Sequence, residues 1–433
     1  MQNRLPFILA LAVALVASAS TWFYMNRILR TQQIADAAAH GRPRGNLSDL
    51  YPRWLGTREL LLHGRNPYGF EVTREIQQGY YGRPLDPSRP GDPKDQQAFA
   101  YPVYVIFLLA PTVDLPFDRV QKSFRWLLIL LVPATVLLWL RVLRWRASLP
   151  AILILSVLML GWLPMVQAIK LQQLTLLVTA LLAGAGSCLA GGWLFVAGGL
   201  VALATIKPQL TWPTVLWLMV WAVSEWRVRR RFVFGFALMM LLLLGGAQLV
   251  LPGWLRMFVD AIGQYHRYTQ TQSVLVWLLG SMVGRMAEAA SVLICGVCVF
   301  PLRREAASSS AFGLAFSLVL ALSVLIVPMA SPYNQVLLAP SIMALLRSHF
   351  EGKHILPALR MARAAGAVLL VWPWVATISL CLAYFLLTPK ISQRLWPAPF
   401  YSNFLLPVFV LALTVLETWG KRAVRLPDGV ATE

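Results

Sequence analysis

Charged residues are scarce in this sequence, and acidic residues are the scarcest of them. Asp, Glu, Lys and Arg make up 13% of the 433 residues, about half the ~25% of an ordinary soluble domain. Hydrophobic residues reach 58% and the mean hydropathy is +0.64, which excludes a soluble globular chain. The short alternating segments of an outer-membrane barrel are also lacking. The composition predicts an all-α polytopic integral membrane protein, because each spanning segment must satisfy its own backbone polar groups.

Cysteine is rare as well, and its few copies argue against cysteine chemistry. Cys188, Cys295, Cys298 and Cys381 all lie inside apolar runs. A metal or redox site needs accessible thiolates and further ligands nearby, so these residues are interpreted as small apolar side chains of the interior. No disulfide framework is implied. The sequence predicts neither a metal nor another cofactor.

The shortage of acids leaves a net charge of +20. In a soluble protein such a charge would suggest a nucleic-acid partner. Here the bases cluster in short segments between apolar runs, as in the cytoplasmic loops of membrane proteins. We therefore predict no nucleic-acid partner, with some bases left for an anionic lipid-linked substrate. The predicted cytoplasmic basic segments are 141–146, 227–231, 302–304, 347–363 and 421–425.

Twelve apolar runs are interpreted as transmembrane helices. The first, Leu5 to Tyr24, resembles a signal peptide, but its length fits a retained span of ~20 residues. Tyr101 to Pro116 is shorter and bracketed by prolines, which favours an interfacial or re-entrant helix. The twelve runs are 5–24, 123–142, 150–168, 173–188, 191–206, 209–224, 232–251, 287–301, 311–328, 335–346, 364–388 and 403–418.

An even number of spans places both termini on one side, and the basic segments mark that side as cytoplasmic. The long polar region after the first span then faces outward from the plasma (inner) membrane. The predicted organisation is a first helix (1–24), an extracytoplasmic loop with juxtamembrane helices (25–122), helices 2–7 (123–251), an extracytoplasmic loop (252–286), helices 8–12 (287–420) and a cytoplasmic tail (421–433).

The first extracytoplasmic loop contains "SDLYPRWLGTRELLLHG", which predicts an amphipathic helix from Ser48 to His63. Ser48 suits an N-cap, Pro52 is tolerated in the first turn, and Gly64 suits the position after the last turn. Asp49 stands at the predicted helix start, where the helix dipole favours a carboxylate. By spacing alone it is either a helix-start residue or a catalytic residue, and both possibilities remain.

Polar residues from distant parts of the chain fall at the same predicted outer face, which suggests a site there. Lys207 is one of them, and by itself it is either a snorkelling lysine at a helix end or a cation of that site. The converging segments are the region of Asp49, Tyr101-Pro102, Lys170–Gln173, Lys207–Gln209, Gly263–Arg267 and Ser331–Gln335.

The ordered stretches "SDLYPRW…LLLHGRNPYG", "FAYPVYVIFLLAP", "QQLTLLVTALLAGA" and "GGLVALATIKPQL" together resemble glycosyltransferase family 87 over residues 45–235. The resemblance implies the GT-C fold of polyprenyl-phosphate-mannose-dependent α-mannosyltransferases. It also implies a polyprenyl-phosphate sugar donor, membrane lipids as surroundings, and a glycan, glycolipid or protein as acceptor. The chain departs from the family at Val103, where a second proline is usual, and at Gln172, where glycine is usual, and these departures leave the donor sugar and the acceptor open.

The resemblance also implies roles for particular residues. Asp49 matches the acidic catalytic base of the family's first loop, and Lys207-Pro208 matches its Lys-Pro after a Gly-rich helix. The leaving group would be a phosphate anion, so cations matter more than an acid. The implied substrate-binding residues are Lys207, Arg53, Arg58, His63, Tyr101, Gln172, Gln173, His266 and Asn334.

Two other classes compete with this prediction. A lipid transporter or flippase would be expected to carry ionisable residues within its spans, or repeated halves with broken helices, whereas these runs are nearly free of charge. A non-enzymatic assembly or sensory protein would not need acids and bases at one membrane face.

Overall fold

The structure is a computed structural model that describes residues 4–42, 48–86, 88–350 and 357–423, and within them every regular element is helical. Most of the predicted tail at 421–433 and part of the basic segments 347–363 and 421–425 lie outside these residues. The α-helices are α1 (Arg4–Phe23), α2 (Arg30–Ala39), α3 (Tyr51–His63), α4 (Phe70–Tyr81), α5 (Ile106–Leu109), α6 (Phe117–Val142), α7 (Leu149–Gly161), α8 (Leu163–Lys170), α9 (Leu174–Ala190), α10 (Leu194–Ala204), α11 (Pro208–Ser224), α12 (Trp226–Val250), α13 (Trp254–Thr269), α14 (Val274–Leu279), α15 (Ser281–Val299), α16 (Ser310–Ile326), α17 (Ala339–Phe350), α18 (Pro357–Leu386), α19 (Pro389–Arg394) and α20 (Ser402–Ala423).

Six helical stretches among the described residues are long and apolar enough to cross a membrane, and α7 with α8 makes a seventh if this pair, bent by 60°, counts as one span. The predicted all-α membrane class is confirmed. The helices α9, α10 and α16 are apolar but shorter, so the count of twelve stays a prediction. The six are Leu5–Ala39, Phe117–Val142, Trp226–Val250, Ser281–Arg304, Arg360–Leu386 and Pro389–Trp419.

Two predicted boundaries differ from the structure. The first helix does not end near residue 24, because a π-helical turn (Tyr24–Leu29) joins α1 to α2. Hydropathy falls there while the Ala-rich sequence still favours helix, so a boundary drawn from hydropathy came too early. Similarly, α15 begins at Ser281 rather than residue 287. Arg285 lowers the hydropathy of its first turns, so a start drawn from hydropathy came too late.

The centre of the bundle is α16. Nearly all its side chains are buried, as expected for a helix that is apolar on every face. It packs against α11 and α20, while α10 lies along α12. Gly198 faces the backbone of Phe232 there, and Gly235 faces that of Phe195. Small residues at such crossings allow two membrane helices to approach closely.

The polar region before α6 folds onto one end of this bundle. The stretch after Tyr101 forms helical turns over Val103–Thr112, well short of a ~20-residue span. Trp54 of α3 donates from its indole to the carbonyl of Thr112 at 3.1 Å, and the Tyr104 hydroxyl donates to the carbonyl of Thr205 at 2.9 Å. The stretch Val103–Thr112 therefore links α3 to the turn that joins α10 to α11.

Candidate functional site

A cavity of about 250 Å³ lies where this polar region meets the bundle. Seven residues singled out from the sequence line it, although they come from six separate parts of the chain. Further lining residues include Asp95, Tyr265, Met329 and Tyr333. The seven are Asp49, Arg53, Tyr101, Gln173, Lys207, His266 and Asn334.

Asp49 is fixed mainly through backbone groups. It precedes α3 in a turn rather than opening the helix, so the predicted start at Ser48 is wrong by three residues. The Ser48 hydroxyl accepts from the amide of Leu50 at 3.1 Å instead of capping the helix. The amide of Asp49 donates to the carbonyl of Leu171 at 3.0 Å, and the Ser48 hydroxyl donates to the same carbonyl at 3.2 Å. The turn between α8 and α9 therefore holds the carboxylate in place.

Both carboxylate oxygens of Asp49 have side-chain partners. The Tyr80 hydroxyl donates to Oδ1 at 3.3 Å, and Gln173 Nε2 donates to Oδ2. Burial raises the pKa of Asp49 above its ordinary value, and the charges of Arg53 and Lys207 oppose this shift. A carboxylate with a raised pKa is a stronger base than an exposed aspartate, which suits proton abstraction.

Lys207 lies inside the protein, with only 3% of its surface exposed. Its Nζ donates to Gln173 Oε1 at 2.8 Å and to Thr175 Oγ1 at 2.6 Å, and stands 5.2 Å from the centre of the Tyr333 ring. These contacts contradict the snorkelling interpretation. Burial lowers the pKa of Lys207, and the nearby Arg53 lowers it further. The residue also occupies the N-cap position of α11, where the helix dipole disfavours a cation. An anion in the cavity would relieve both costs.

Arg53 points into the cavity from α3. Its Nη2 donates to the Tyr101 hydroxyl at 2.8 Å, and its guanidinium carbon lies 4.1 Å from the centre of the same ring. The carbonyl of Tyr101 accepts from the Tyr68 hydroxyl at 2.6 Å. A second cation is thereby held beside Asp49 and Lys207.

Three predicted binding residues lie outside the cavity lining. Arg58 stands over the Trp54 ring at 5.5 Å, and His63 contacts Glu59 at 3.1 Å. Gln172 donates to the carbonyls of Ile169 at 2.6 Å and Lys170 at 2.8 Å, so it stabilises the α8–α9 turn. Helical spacing explains the first two, because α3 turns only one face toward the cavity.

Sequence reasoning missed several residues of the site. Asp95 belongs to a segment rich in turn-forming residues, and no local pattern singled it out as a site residue. Its side chain nevertheless lines the cavity. It accepts from the amide and the side chain of Gln97 at 2.9 and 3.0 Å, and burial raises the pKa of Asp95 to about 6. Tyr80 was also missed, because a tyrosine on an amphipathic helix gives no signal of its own. Among the described residues, no three His, Cys, Asp or Glu side chains are grouped as a metal site requires.

The family model of Glycosyltransferase family 87 matches residues 99–332, more than half of the chain. The chain therefore belongs to glycosyltransferase family 87. It is an α-helical membrane glycosyltransferase, which favours the enzyme over the transporter considered from sequence. The matched range includes Tyr101, Gln173, Lys207 and His266, whereas Asp49 precedes it. No curated protein and no solved structure matches the chain.

Proposed function

We propose that this protein transfers a sugar, mannose or another hexose or pentose, from a polyprenyl phosphate to an acceptor hydroxyl outside the cell. The acceptor is a glycan, glycolipid or protein. The proposal includes a GT-C-like fold with twelve spans in the plasma (inner) membrane and a cavity at the extracytoplasmic face. The observation that carries it is the placement of Asp49, Gln173 and Lys207 around one cavity.

Asp49 is the proposed general base. It takes the proton of the acceptor hydroxyl as that oxygen bonds to the anomeric carbon, while the bond to the phosphate oxygen breaks. The displacement inverts the anomeric carbon, and polyprenyl phosphate leaves with the bonding electrons. The bonds from Tyr80 and Gln173 orient the carboxylate. A positioned base is worth ~10²–10⁴ in rate.

Lys207 and Arg53 are the proposed cations for the donor phosphate. Both line the cavity with Asp49, and Lys207 stands at the start of α11. A helix N-terminus attracts anions through its free N–H groups and its dipole. Because Lys207 is buried, its interaction with a phosphate is screened little by water. Charge that develops on the leaving oxygen would be stabilised by the same ammonium.

The remaining lining residues are proposed to bind the two sugars. Tyr101, Gln173, His266 and Asn334 offer hydroxyl, amide and imidazole groups to sugar hydroxyls. Arg58, His63 and Gln172 were also predicted to bind substrate. Their contacts stabilise α3 and the α8–α9 turn, so we propose that they contribute to substrate binding indirectly, by positioning the residues that line the cavity.

The test is to incubate purified protein in lipid nanodiscs with polyprenyl phosphates that carry different sugars, together with candidate acceptors. Release of polyprenyl phosphate and glycosylated acceptor should appear in equal amounts for one donor sugar. The Asp49→Asn protein is the matched control. Sugar transfer by that variant at the wild-type rate, or no release from any donor, would refute the assignment.

A further inference from the structure

A second and larger cavity, of about 770 Å³, lies beside the first. None of the proposed catalytic residues lines it. Its walls come from α4, from the segment after α4 and from the end of α13. The lining residues that matter here are Phe70, Arg74, Lys94, Gln96, Tyr268 and Arg89.

One stretch of chain forms a wall of both cavities. Asp95 and Gln97 line the first cavity, while Lys94 and Gln96 line the second. The same division occurs on α13, where Tyr265 lines the first cavity and Tyr268 the second, with ring centres 5.4 Å apart. The two cavities are therefore neighbours that share one wall, formed by residues 94–97 and the end of α13.

Hydrogen bonds from α4 fix the shared wall in place. The Tyr81 hydroxyl donates to the carbonyl of Asp95 at 2.7 Å, and Gln77 Nε2 donates to the carbonyl of Gln96 at 3.1 Å. Tyr80, the neighbour of Tyr81 on α4, holds Asp49. One helix thus fixes the catalytic carboxylate and the rim of the second cavity together.

The chemistry of the second cavity favours a negatively charged carbohydrate. Four basic side chains, those of Arg74, Arg83, Arg89 and Lys94, face two carboxylates, and one of these, Asp92, is paired with Arg83 at 2.8 Å. Phe70 is 75% exposed and carries the Arg74 guanidinium over its ring at 5.7 Å. An exposed ring offers an apolar face to the C–H side of a sugar, and the nearby cations suit phosphate or carboxylate groups.

We propose that the second cavity binds the part of the acceptor beyond its reacting hydroxyl, and that this part is an oligosaccharide with anionic groups. This inference rests on the proposed function, since it assigns the first cavity to the transfer. The acceptor chain would cross the wall at 94–97, with its terminal hydroxyl at Asp49.

The test measures binding, not turnover, in full-length protein reconstituted in nanodiscs. The probes are a heparin-derived tetrasaccharide, which is anionic, and isomaltotetraose, which is neutral and similar in length. The variant combines Arg74→Glu with Lys94→Glu. The matched control is Arg256→Glu, because Arg256 is an exposed arginine on α13 that lines neither cavity. Sugar transfer by the Asp49→Asn protein is measured in parallel.

We expect the wild type to bind the anionic probe more tightly than the neutral one. The double variant should weaken that binding by about tenfold, because two exposed charges reverse sign, whereas Arg256→Glu should leave it within about twofold. Equal loss in the double variant and in Arg256→Glu would overturn the proposal, as would equal affinity for both probes. If Asp49→Asn still transfers sugar, the proposed function fails, but this binding result is not affected.

Discussion

Lys207 and Asp49 share one side-chain amide. Gln173 Oε1 accepts from Lys207 Nζ at 2.8 Å, and Gln173 Nε2 donates to Asp49 Oδ2. An amide between a cation and a carboxylate fixes the orientation of both without adding net charge. The proposed base and the proposed phosphate-binding cation are thus positioned together before any substrate arrives, an arrangement that would favour the transition state over free reactants.

Asp49→Asn should reduce kcat by ~10²–10⁴ while the protein still inserts and folds. Asparagine keeps the size and the accepting oxygen of Asp49 but cannot take a proton. The measurement is sugar transfer by the nanodisc-reconstituted variant, with melting temperature as the folding control. Near-normal turnover would make Asp49 a residue of the turn before α3 only. Asp95 would then be the next candidate, because its carboxylate lines the same cavity.

The pH dependence of kcat/KM should reveal the environment of Asp49. Its basic form is needed, so activity rises with pH through its pKa, and burial moves that rise above the pH expected for an ordinary aspartate. Arg53→Gln removes a charge that lowers the pKa of Asp49, so the rise should move to still higher pH. If Arg53→Gln does not shift the pH at which kcat/KM rises, the rise does not report the titration of Asp49.

Lys207→Ala should raise KM for the donor and also lower kcat. Uniform binding of the phosphate affects KM alone, whereas stabilisation of the leaving oxygen affects kcat. Lys207→Arg should recover part of the binding, because the charge survives while the shape does not. Donor titrations on both variants decide the matter, and an unchanged kcat/KM in Lys207→Ala would remove this residue from the site.

Asp95→Asn should stabilise the protein at neutral pH and have little effect near pH 4. Burial raises the pKa of Asp95 from 3.8 to about 6, so the stability linked to its protonation is present below 3.8 and is lost as pH rises through about 6. The gain should be about 1–2 kcal/mol, allowing for partial exposure, measured as melting temperature between pH 4 and 8.

Asp86→Asn is the opposing control for this titration. Hydrogen bonds from Ser88 lower the pKa of Asp86. Replacing this carboxylate by the amide in Asp86→Asn should therefore not stabilise the protein as pH rises. A pH-independent difference between wild type and Asp95→Asn would contradict the account of Asp95.

Cysteines introduced by Ser88→Cys and Ser308→Cys should differ in reaction with an impermeant maleimide on intact cells. Both serines are exposed. The distribution of Lys and Arg predicts that Ser88 lies outside and Ser308 in the cytoplasm, so Ser88→Cys should be labelled on intact cells and Ser308→Cys only after lysis. Labelling of Ser308→Cys alone on intact cells would invert the topology.

The sequence was sufficient where one physical property dominates. Apolar runs located most of the long helices, and polar residues at their ends located much of the cavity, because both follow from exclusion of polar groups from lipid. Local pattern was insufficient for Asp95 and Tyr80. Their roles depend on how α3, α4 and α13 fold over the bundle, and no short-range periodicity encodes that. It also missed α2, because hydropathy falls after Tyr24 while helix propensity does not.

The attachment of Asp49 to the carbonyl of Leu171 has an evolutionary consequence. Two hydrogen bonds to one main-chain oxygen hold the turn at Ser48 and Asp49, and almost any residue at position 171 would supply that oxygen. Drift at this position should therefore leave the acid where it is. Among homologous chains, the side chain at 171 should vary freely while the backbone there stays superimposable. Selection on this contact would thus act on the backbone of the turn between α8 and α9, not on the identity of residue 171.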